Sequence, residues 1–134
     1  MFIDDINSRR RSKMGYRADV SIAFYTTNTE TLPLIAIKLW FDENFPKELP
    51  PEQVEVGDDY ILARYEGYKW YPEYEEVRMV EAAVTLFGAT FECDEDGAAH
   101  WETVRAGEEL DDTEHEASPY ATYRLNVSRT IHFD

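Results

Sequence analysis

The chain has 134 residues with 43% hydrophobic and 14% aromatic side chains, too much apolar surface for an intrinsically disordered tail. Its length fits one domain, and its single cysteine excludes both a disulfide framework and a zinc site built on several thiolates. Asp and Glu number 28 against 13 Lys and Arg, a formal charge of −15. This charge argues against nucleic-acid binding through the folded body, because phosphate contacts need cationic side chains.

The first predicted segment is a basic arm at residues 1–13, followed by a single acidic domain at residues 14–134. The arm holds Arg9–Arg11 and Lys13 against two aspartates, so it carries +2 while the rest of the chain carries −17. It is polar and lacks periodicity, which predicts a flexible segment that either contacts the acidic body or is a solvated terminus. Because it has no apolar core behind its charges, we do not expect a secretory signal here.

The first predicted strand spans Arg17–Tyr25, where apolar side chains alternate with polar ones. Threonines and Asn28 predict a turn, and Thr31 is the expected cap of a helix that ends at about Asn44. Pro33 is tolerated in the first turn of this helix. The predicted apolar stripe of the helix consists of Leu34, Ile35, Ile37, Leu39 and Phe41.

The second strand and second helix follow in order. Tyr60–Tyr65 is apolar on both sides, which predicts a strand inside the sheet, and Gly67 is expected to form a turn. Tyr71 and Pro72 open the clearest helix of the chain, with glutamates at its positive end and Gly88 as its expected C-terminal stop. The predicted apolar stripe of this helix consists of Val77, Met79, Val80, Ala83, Val84, Leu86 and Phe87.

Two more strands are predicted in the last third of the chain. Ala98–Ala106 alternates as a half-buried strand does, and an acidic connection follows over Gly107–Ser118. Residues 121–133 alternate so regularly that they predict one long, bent strand that pairs with more than one neighbour. Only Arg129 interrupts its apolar face.

The predicted order is therefore β-α-β-α-β-β, and the predicted fold class is α+β. Two amphipathic helices and half-buried strands pack most economically as a two-layer sandwich, with both helices on one face of a mostly antiparallel sheet of about four strands. The opposite face is then polar and open to a partner. Its predicted members are Asp19, Ser21, His100, Glu102, Thr122, Arg124 and Asn126.

Motifs for catalysis and metal binding are missing from the sequence. The three histidines are scattered, no G-x-S-x-G or glycine-rich phosphate motif occurs, and Asp94–Gly97 lacks the alternating acids of a calcium loop. Cys93 lies between two acidic residues, which would raise the pKa of its thiol and blunt its reactivity. A hydrolase acting through dispersed carboxylates is an alternative that the sequence leaves open. We predict a protein that is not an enzyme and has no cofactor and no bound metal.

Acidic and aromatic clusters are the candidate partner-binding residues. So negative a surface fits a merely soluble protein, a salt-adapted protein, or one that presents an anionic face to a basic partner. Aromatic side chains concentrated in residues 65–74 are typical of binding hot spots, although Trp70 and Tyr74 would alternatively pack the start of the helix onto the core. The residues predicted to bind a partner are Glu108, Glu109, Asp111, Asp112, Glu114, Glu116, Asp94, Glu95, Asp96, Tyr68 and Tyr71.

Two stretches of the chain, MGYRADV at Met14–Val20 and KWYPEYEEV at Lys69–Val77, resemble signatures of a group of small, uncharacterised, mostly phage-encoded proteins. The first is similar to their M-G-Y-R-S-D-V opening, with Ala18 where serine is usual. The second is similar to their K-W-Y-x-x-Y-x-x-V segment. The resemblance covers residues 14 to about 87, and residues 1–13 are extra. It implies a phage or prophage context in the host cytoplasm, with no established mechanism.

That context favours a non-enzymatic phage accessory protein that binds and inhibits a basic host or anti-phage-defence protein, in the manner of an anti-CRISPR or anti-restriction factor. DNA mimicry is one route, because duplex DNA carries one charge per about 1.7 Å of axis and an acidic body can imitate part of that field. The alternative is a structural or assembly protein whose polar sheet face binds a virion component or pairs with itself as a homodimer. We expect no direct nucleic-acid binding. No membrane association is expected either, because no apolar run approaches the roughly 20 residues that a transmembrane helix needs.

Overall fold

The computed structural model describes residues 17–109, 112–127 and 131–133. The predicted arm at residues 1–13 and Asp111 lie outside them. In chain order the elements are β1 (Ala18–Thr26), α1 (Leu34–Asn44), β2 (Gln53–Val56), β3 (Tyr60–Tyr68), α2 (Glu75–Thr90), β4 (Ala99–Gly107), β5 (Thr113–Ala117), β6 (Leu125–Val127) and β7 (Ile131–Phe133). Within these ranges no helix is both long enough and apolar enough to cross a bilayer.

The fold is the predicted α+β sandwich, with an open antiparallel sheet in the order β2-β3-β1-β4-β5. The sheet has five strands where about four were predicted. Both edge strands were missed: β2 was assigned to no element, and β5 lies inside the predicted acidic connection. Strand β5 is polar apart from Ala117 and lacks the apolar alternation of a half-buried strand, whereas β2 alternates over only four residues, all of them exposed.

The main core lies between the helices and one face of the sheet, called here the helix-facing side. Phe24 of β1 is at its centre, with its ring 4.6 Å from that of Phe87 on α2 and 5.5 Å from that of Trp40 on α1. These rings interlock at tilted and edge-on angles, the geometry that aromatic quadrupoles favour. The buried positions that the helices contribute to this core are Ile37, Trp40, Phe41, Val77, Val80, Ala83, Val84 and Phe87.

Helix α1 is shorter than predicted at its N-terminus. It begins at Leu34, and Pro33 occupies the N-cap position without a side-chain hydrogen bond, so Thr31 is not the cap. Asn28 instead organises the preceding turn, because its Oδ1 accepts hydrogen bonds from the backbone N–H groups of Glu30 and Thr31. The predicted apolar stripe was also too wide, since two of its members are 60% and 56% exposed, namely Ile35 and Leu39.

Two glycines have roles other than the predicted ones. Helix α2 continues past Gly88 to Thr90, and a Cβ at position 88 would lie 3.3 Å from Nε1 of Trp101. The glycine therefore permits close packing of α2 on β4. Gly67 is not a turn: it lies within β3 at a φ of +58°, beside an irregularity in the pairing with β1.

Much of the opposite face of the sheet is covered, so the prediction that Ser21, His100 and Glu102 are open to a partner is wrong. The predicted long strand over residues 121–133 is also wrong: β6 and β7 form a separate antiparallel hairpin, and Tyr123 has a φ of 57°, which a residue other than glycine rarely adopts in a strand. This segment packs over a second core, and it buries Ser21, His100 and Glu102. The second core consists of Ala23, Tyr25, Leu62, Val104, Leu125 and Ile131. Asp19, the predicted member of this face near the start of β1, is exposed.

A buried carboxylate holds the C-terminal segment in place. Glu102 is fully buried, and its oxygens accept hydrogen bonds from the Tyr25 hydroxyl and, at 2.9 Å each, from the backbone N–H groups of Arg124 and Leu125. The Tyr25 hydroxyl in turn accepts from the backbone N–H of Thr122 at 2.9 Å. Burial raises the pKa of Tyr25 to about 12, so its hydroxyl keeps its proton for Glu102. This arrangement, called here the Glu102 clamp, explains why a polar face can be buried.

Candidate functional site

A cleft of about 490 Å³ opens on the helix-facing side of the sheet, between α2 and strands β1, β4 and β5. Its lining combines apolar side chains with four ionisable ones, and we call it the acidic cleft. The apolar lining includes Val20, Ile22, Trp70, Val80, Val84 and Trp101. The ionisable lining consists of Glu81, Arg105, Glu114 and Glu116.

The pleat of two neighbouring strands places these side chains together. Along β4, Trp101, Thr103 and Arg105 are two residues apart, so they point to the same side of the sheet. The antiparallel register sets Arg105 opposite Glu114 and Thr103 opposite Glu116, and directly opposed side chains share one face. The glutamates of β5 therefore lie beside Thr103 and Arg105 of β4, on the side of the sheet that faces helix α2.

Arg105 is held by two carboxylates beside the cleft. Its Nε donates to Glu114 and its Nη2 donates to Asp112, each at 2.7 Å. The side chains of Arg105 and Asp112 are only 9% and 10% exposed, so this pair is little screened by solvent. The guanidinium is thus fixed in place, and its hydrogen bonds are committed to the β4–β5 hairpin.

Two other cleft carboxylates, Glu81 and Glu116, differ from Glu114 in their surroundings. Among residues 17–109, 112–127 and 131–133, no lysine or arginine lies within ion-pair distance of Glu81 or Glu116. Loss of hydration raises the pKa of Glu81 above its usual value, and the negative charges of Glu116 and Glu114 add to the rise. A cation that entered the cleft would relieve this repulsion.

The cleft has the chemistry of a site for an organic cation. Trp70 and Trp101 are both partly exposed in it, and an indole face attracts a guanidinium or ammonium by about 0.5–1 kcal/mol. The apolar lining can take the aliphatic stem of a long basic side chain while its charged end meets the carboxylates. Among the residues that the structure describes, no Ser, Cys or His lines the cleft.

Metal binding has no support in the part of the chain that the structure describes. No three His, Cys, Asp or Glu side chains there are grouped so that they could hold a metal ion. Cys93 is partly buried, and this burial, with the nearby Asp94, raises the pKa of its thiol to about 12. The thiol is therefore protonated at neutral pH, as its acidic neighbours suggested.

The predicted acidic residues fall into three groups. Glu114 and Glu116 line the cleft, and Asp112 adjoins it through Arg105. Glu108 and Glu109 are exposed where β4 ends, and Asp111 is not among the described residues. Residues 94–96 form an exposed turn before β4 and do not line the cleft. The structure thus concentrates part of the predicted surface around one cavity.

The predicted aromatic surface is mostly internal. Tyr71 is only 8% exposed and its ring packs 5.2 Å from that of Tyr74, so it offers little surface to a partner. Tyr68 is half-buried, with its ring 5.8 Å from that of Trp70. Trp70 and Tyr74 pack against the main core, which was the alternative interpretation. Trp70 is the member of this cluster that also lines the cleft.

Three residues of the site were missed from the sequence: Glu81, Trp101 and Arg105. Trp101 and Arg105 belong to a predicted strand and share its helix-facing side, but only the pairing with β5 shows what they face. Glu81 is one of many exposed glutamates on a helix, and nothing in its sequence neighbourhood distinguishes it. The i, i+2 spacing of Glu114 and Glu116 was the one available signal.

No protein-family model matches the chain, and no curated protein and no solved structure matches it. The resemblance to phage-encoded proteins therefore stays a prediction.

Proposed function

We propose that the protein is a non-enzymatic binding protein whose acidic cleft captures a cationic segment of a basic partner protein. One observation carries this proposal: Glu81 and Glu116, two carboxylates without a described cation, share a cavity with the indoles of Trp70 and Trp101. A cavity whose carboxylates repel one another and whose indole faces are partly exposed is complementary to arginine and lysine side chains.

The energies of individual contacts set the size of the expected ligand. An exposed ion pair contributes about 0.2–1 kcal/mol and an exposed cation–π contact about 0.5–1 kcal/mol. One arginine that makes two of each therefore gains about 1.5–4 kcal/mol, which falls short of micromolar binding. The expected ligand is a segment with several basic residues, and the strongly negative body would speed its encounter.

The class of partner is inferred from the resemblance to phage proteins. We propose an accessory factor that acts in the host cytoplasm and inhibits a host or anti-phage-defence protein through a basic groove of that protein. DNA mimicry is the extended form of this proposal, in which Glu108 and Glu109 prolong the negative surface beyond the cleft. The basic grooves that bind duplex DNA carry the arginines and lysines that the cleft would accept.

A peptide titration tests the proposal. Fluorescence anisotropy of a labelled hexa-arginine peptide is measured against the unmodified protein and against Glu81→Gln/Glu116→Gln. We expect the double variant to bind about tenfold more weakly, because the loss of two partly screened ion pairs is worth about 1.4 kcal/mol. Affinity should also fall steeply as ionic strength rises.

The matched control is Glu95→Gln/Asp96→Asn, which removes the same charge from the exposed turn that does not line the cleft. It should retain affinity to within about twofold. Equal losses in the two double variants would mean that the peptide responds to net charge alone, and the cleft would then not be the site. Absence of binding to the unmodified protein would refute the proposal.

A further inference from the structure

The chain enters the sheet beside the acidic cleft. Ala18, the first residue of β1, pairs with Gly107 at the end of β4, and Val20 pairs with Arg105. Val20 and Arg105 both line the cleft. Arg17 is anchored at this end of the sheet, because its Nη1 donates to the carbonyl oxygen of Gly67 at 2.8 Å. The residues that precede Arg17 therefore join the fold near the cleft.

The preceding segment carries the complementary charge. Residues 1–13 have a formal charge of +2 and include Arg9–Arg11, whereas the rest of the chain carries −17. The six residues from Arg11 to Arg17 span up to about 20 Å when extended. Val20 is three residues from Arg17 along β1, a distance of about 10 Å. The arginines can therefore reach the cleft of their own chain.

We propose that Arg9–Arg11 occupy the acidic cleft of their own chain, so that a basic partner has to displace them. This inference rests on the proposed function, since it assigns an internal ligand to the same cation site. Tethering gives the segment an effective concentration in the millimolar range. A contact with a Kd of about 0.1 mM would then fill the cleft about nine-tenths of the time and weaken partner binding about tenfold.

The first test compares affinities for the hexa-arginine peptide. The variant Arg9→Gln/Arg10→Gln/Arg11→Gln should bind the peptide about tenfold more tightly than the unmodified chain. The matched control is Lys38→Gln/Lys47→Gln/Arg78→Gln, which removes three cations from positions that do not line the cleft. It should bind no more than about twofold more tightly, the effect of net charge alone.

A second test locates the segment directly. With Cys93→Ser as background, a nitroxide label on Ser8→Cys should broaden the backbone amide NMR signals of Glu81 and Glu116. Glu55, on the edge strand at the other side of the sheet, should be unaffected. The broadening should disappear in 1 M salt and when the three arginines are replaced by glutamine, because the contact is electrostatic.

The outcomes separate this inference from the proposed function. If the arginine-to-glutamine variant binds hexa-arginine with the affinity of the unmodified chain, the segment does not occupy the cleft, and the proposed function still stands. Unchanged amide signals at Glu81 and Glu116 would overturn the inference in the same way. If neither chain binds the peptide, the proposed function fails, and a cation-binding cleft cannot be the reason for any contact of the segment.

Discussion

Carboxylates on the two faces of the sheet have opposite surroundings. On the covered face, Glu102 is fully buried, and a hydroxyl and two backbone N–H groups satisfy its oxygens. On the helix-facing side, Glu81 and Glu116 keep contact with solvent, repel each other and have no described cation beside them. Burial with complete hydrogen bonding is typical of a structural role, and unrelieved repulsion in a cavity is typical of a binding role.

The largest expected effect comes from breaking the Glu102 clamp. Glu102→Ala leaves the Tyr25 hydroxyl and two buried backbone N–H groups without their acceptor. Since each of these three buried groups costs about 1–3 kcal/mol when left unsatisfied, we expect the free energy of unfolding, measured by urea denaturation, to fall by at least about 3 kcal/mol. Tyr25→Phe keeps the two N–H contacts and should lose only about 1–2 kcal/mol.

Amide hydrogen exchange shows whether this loss of stability is local to the C-terminal segment. In Glu102→Ala, hydrogen exchange should accelerate most at the backbone amides of Arg124 and Leu125. These amides donate hydrogen bonds to the Glu102 carboxylate in the unmodified chain. A loss below about 1 kcal/mol would contradict the clamp as the device that secures the C-terminal segment.

A moderate effect is expected from acid on the covered face. Burial lowers the pKa of His100 below its usual value, although Glu102 and the backbone at Pro119 act in the opposite direction. The unfolded chain therefore binds a proton more readily, and the free energy of unfolding should fall as pH drops below about 6.5, by at most about 1.4 kcal/mol per pH unit. The His100→Asn variant should show a weaker pH dependence of the free energy of unfolding below about pH 6.5, measured by urea denaturation. An unchanged pH dependence would mean that groups other than His100 cause it.

The smallest and most informative stability effect is expected in the cleft. Glu81→Gln/Glu116→Gln removes charges that repel one another, so it should raise the free energy of unfolding by a few tenths of a kcal/mol, discounted for solvent screening. The same variant is expected to bind hexa-arginine more weakly. A stability loss of more than about 1 kcal/mol would show that these carboxylates have a structural role, like that of Glu102.

Much of the fold was predictable from the sequence because periodicity reports burial. The alternation of β1 and the apolar stripe of α2 each identify one buried face, and the α+β sandwich follows from them. The exposed edge strands β2 and β5 could not be identified, because β5 has no apolar alternation and β2 alternates over only four residues. The regular alternation of residues 121–133 predicted one strand, but the left-handed φ value at Tyr123 interrupts it.

The candidate site was predictable only in part. Glu114 and Glu116 were singled out for their charge, but the cavity between them and α2 depends on the register of β4 with β5. The covered face shows the converse problem. The alternation of polar residues predicts that Ser21, His100 and Glu102 are exposed. Only the hydrogen bonds of the Glu102 clamp explain how this face is buried.

The most direct test of the acidic cleft is an NMR titration of the tryptophan indole N–H signals with unlabelled hexa-arginine. Trp70 and Trp101 line the cleft, whereas Trp40 is buried in the main core and serves as an internal control. If the peptide binds in the acidic cleft, the Trp70 and Trp101 signals should shift saturably with little change at Trp40, and these shifts should be lost in Glu81→Gln/Glu116→Gln. Peptide binding that leaves the Trp70 and Trp101 signals unmoved would contradict the acidic cleft as the cation site.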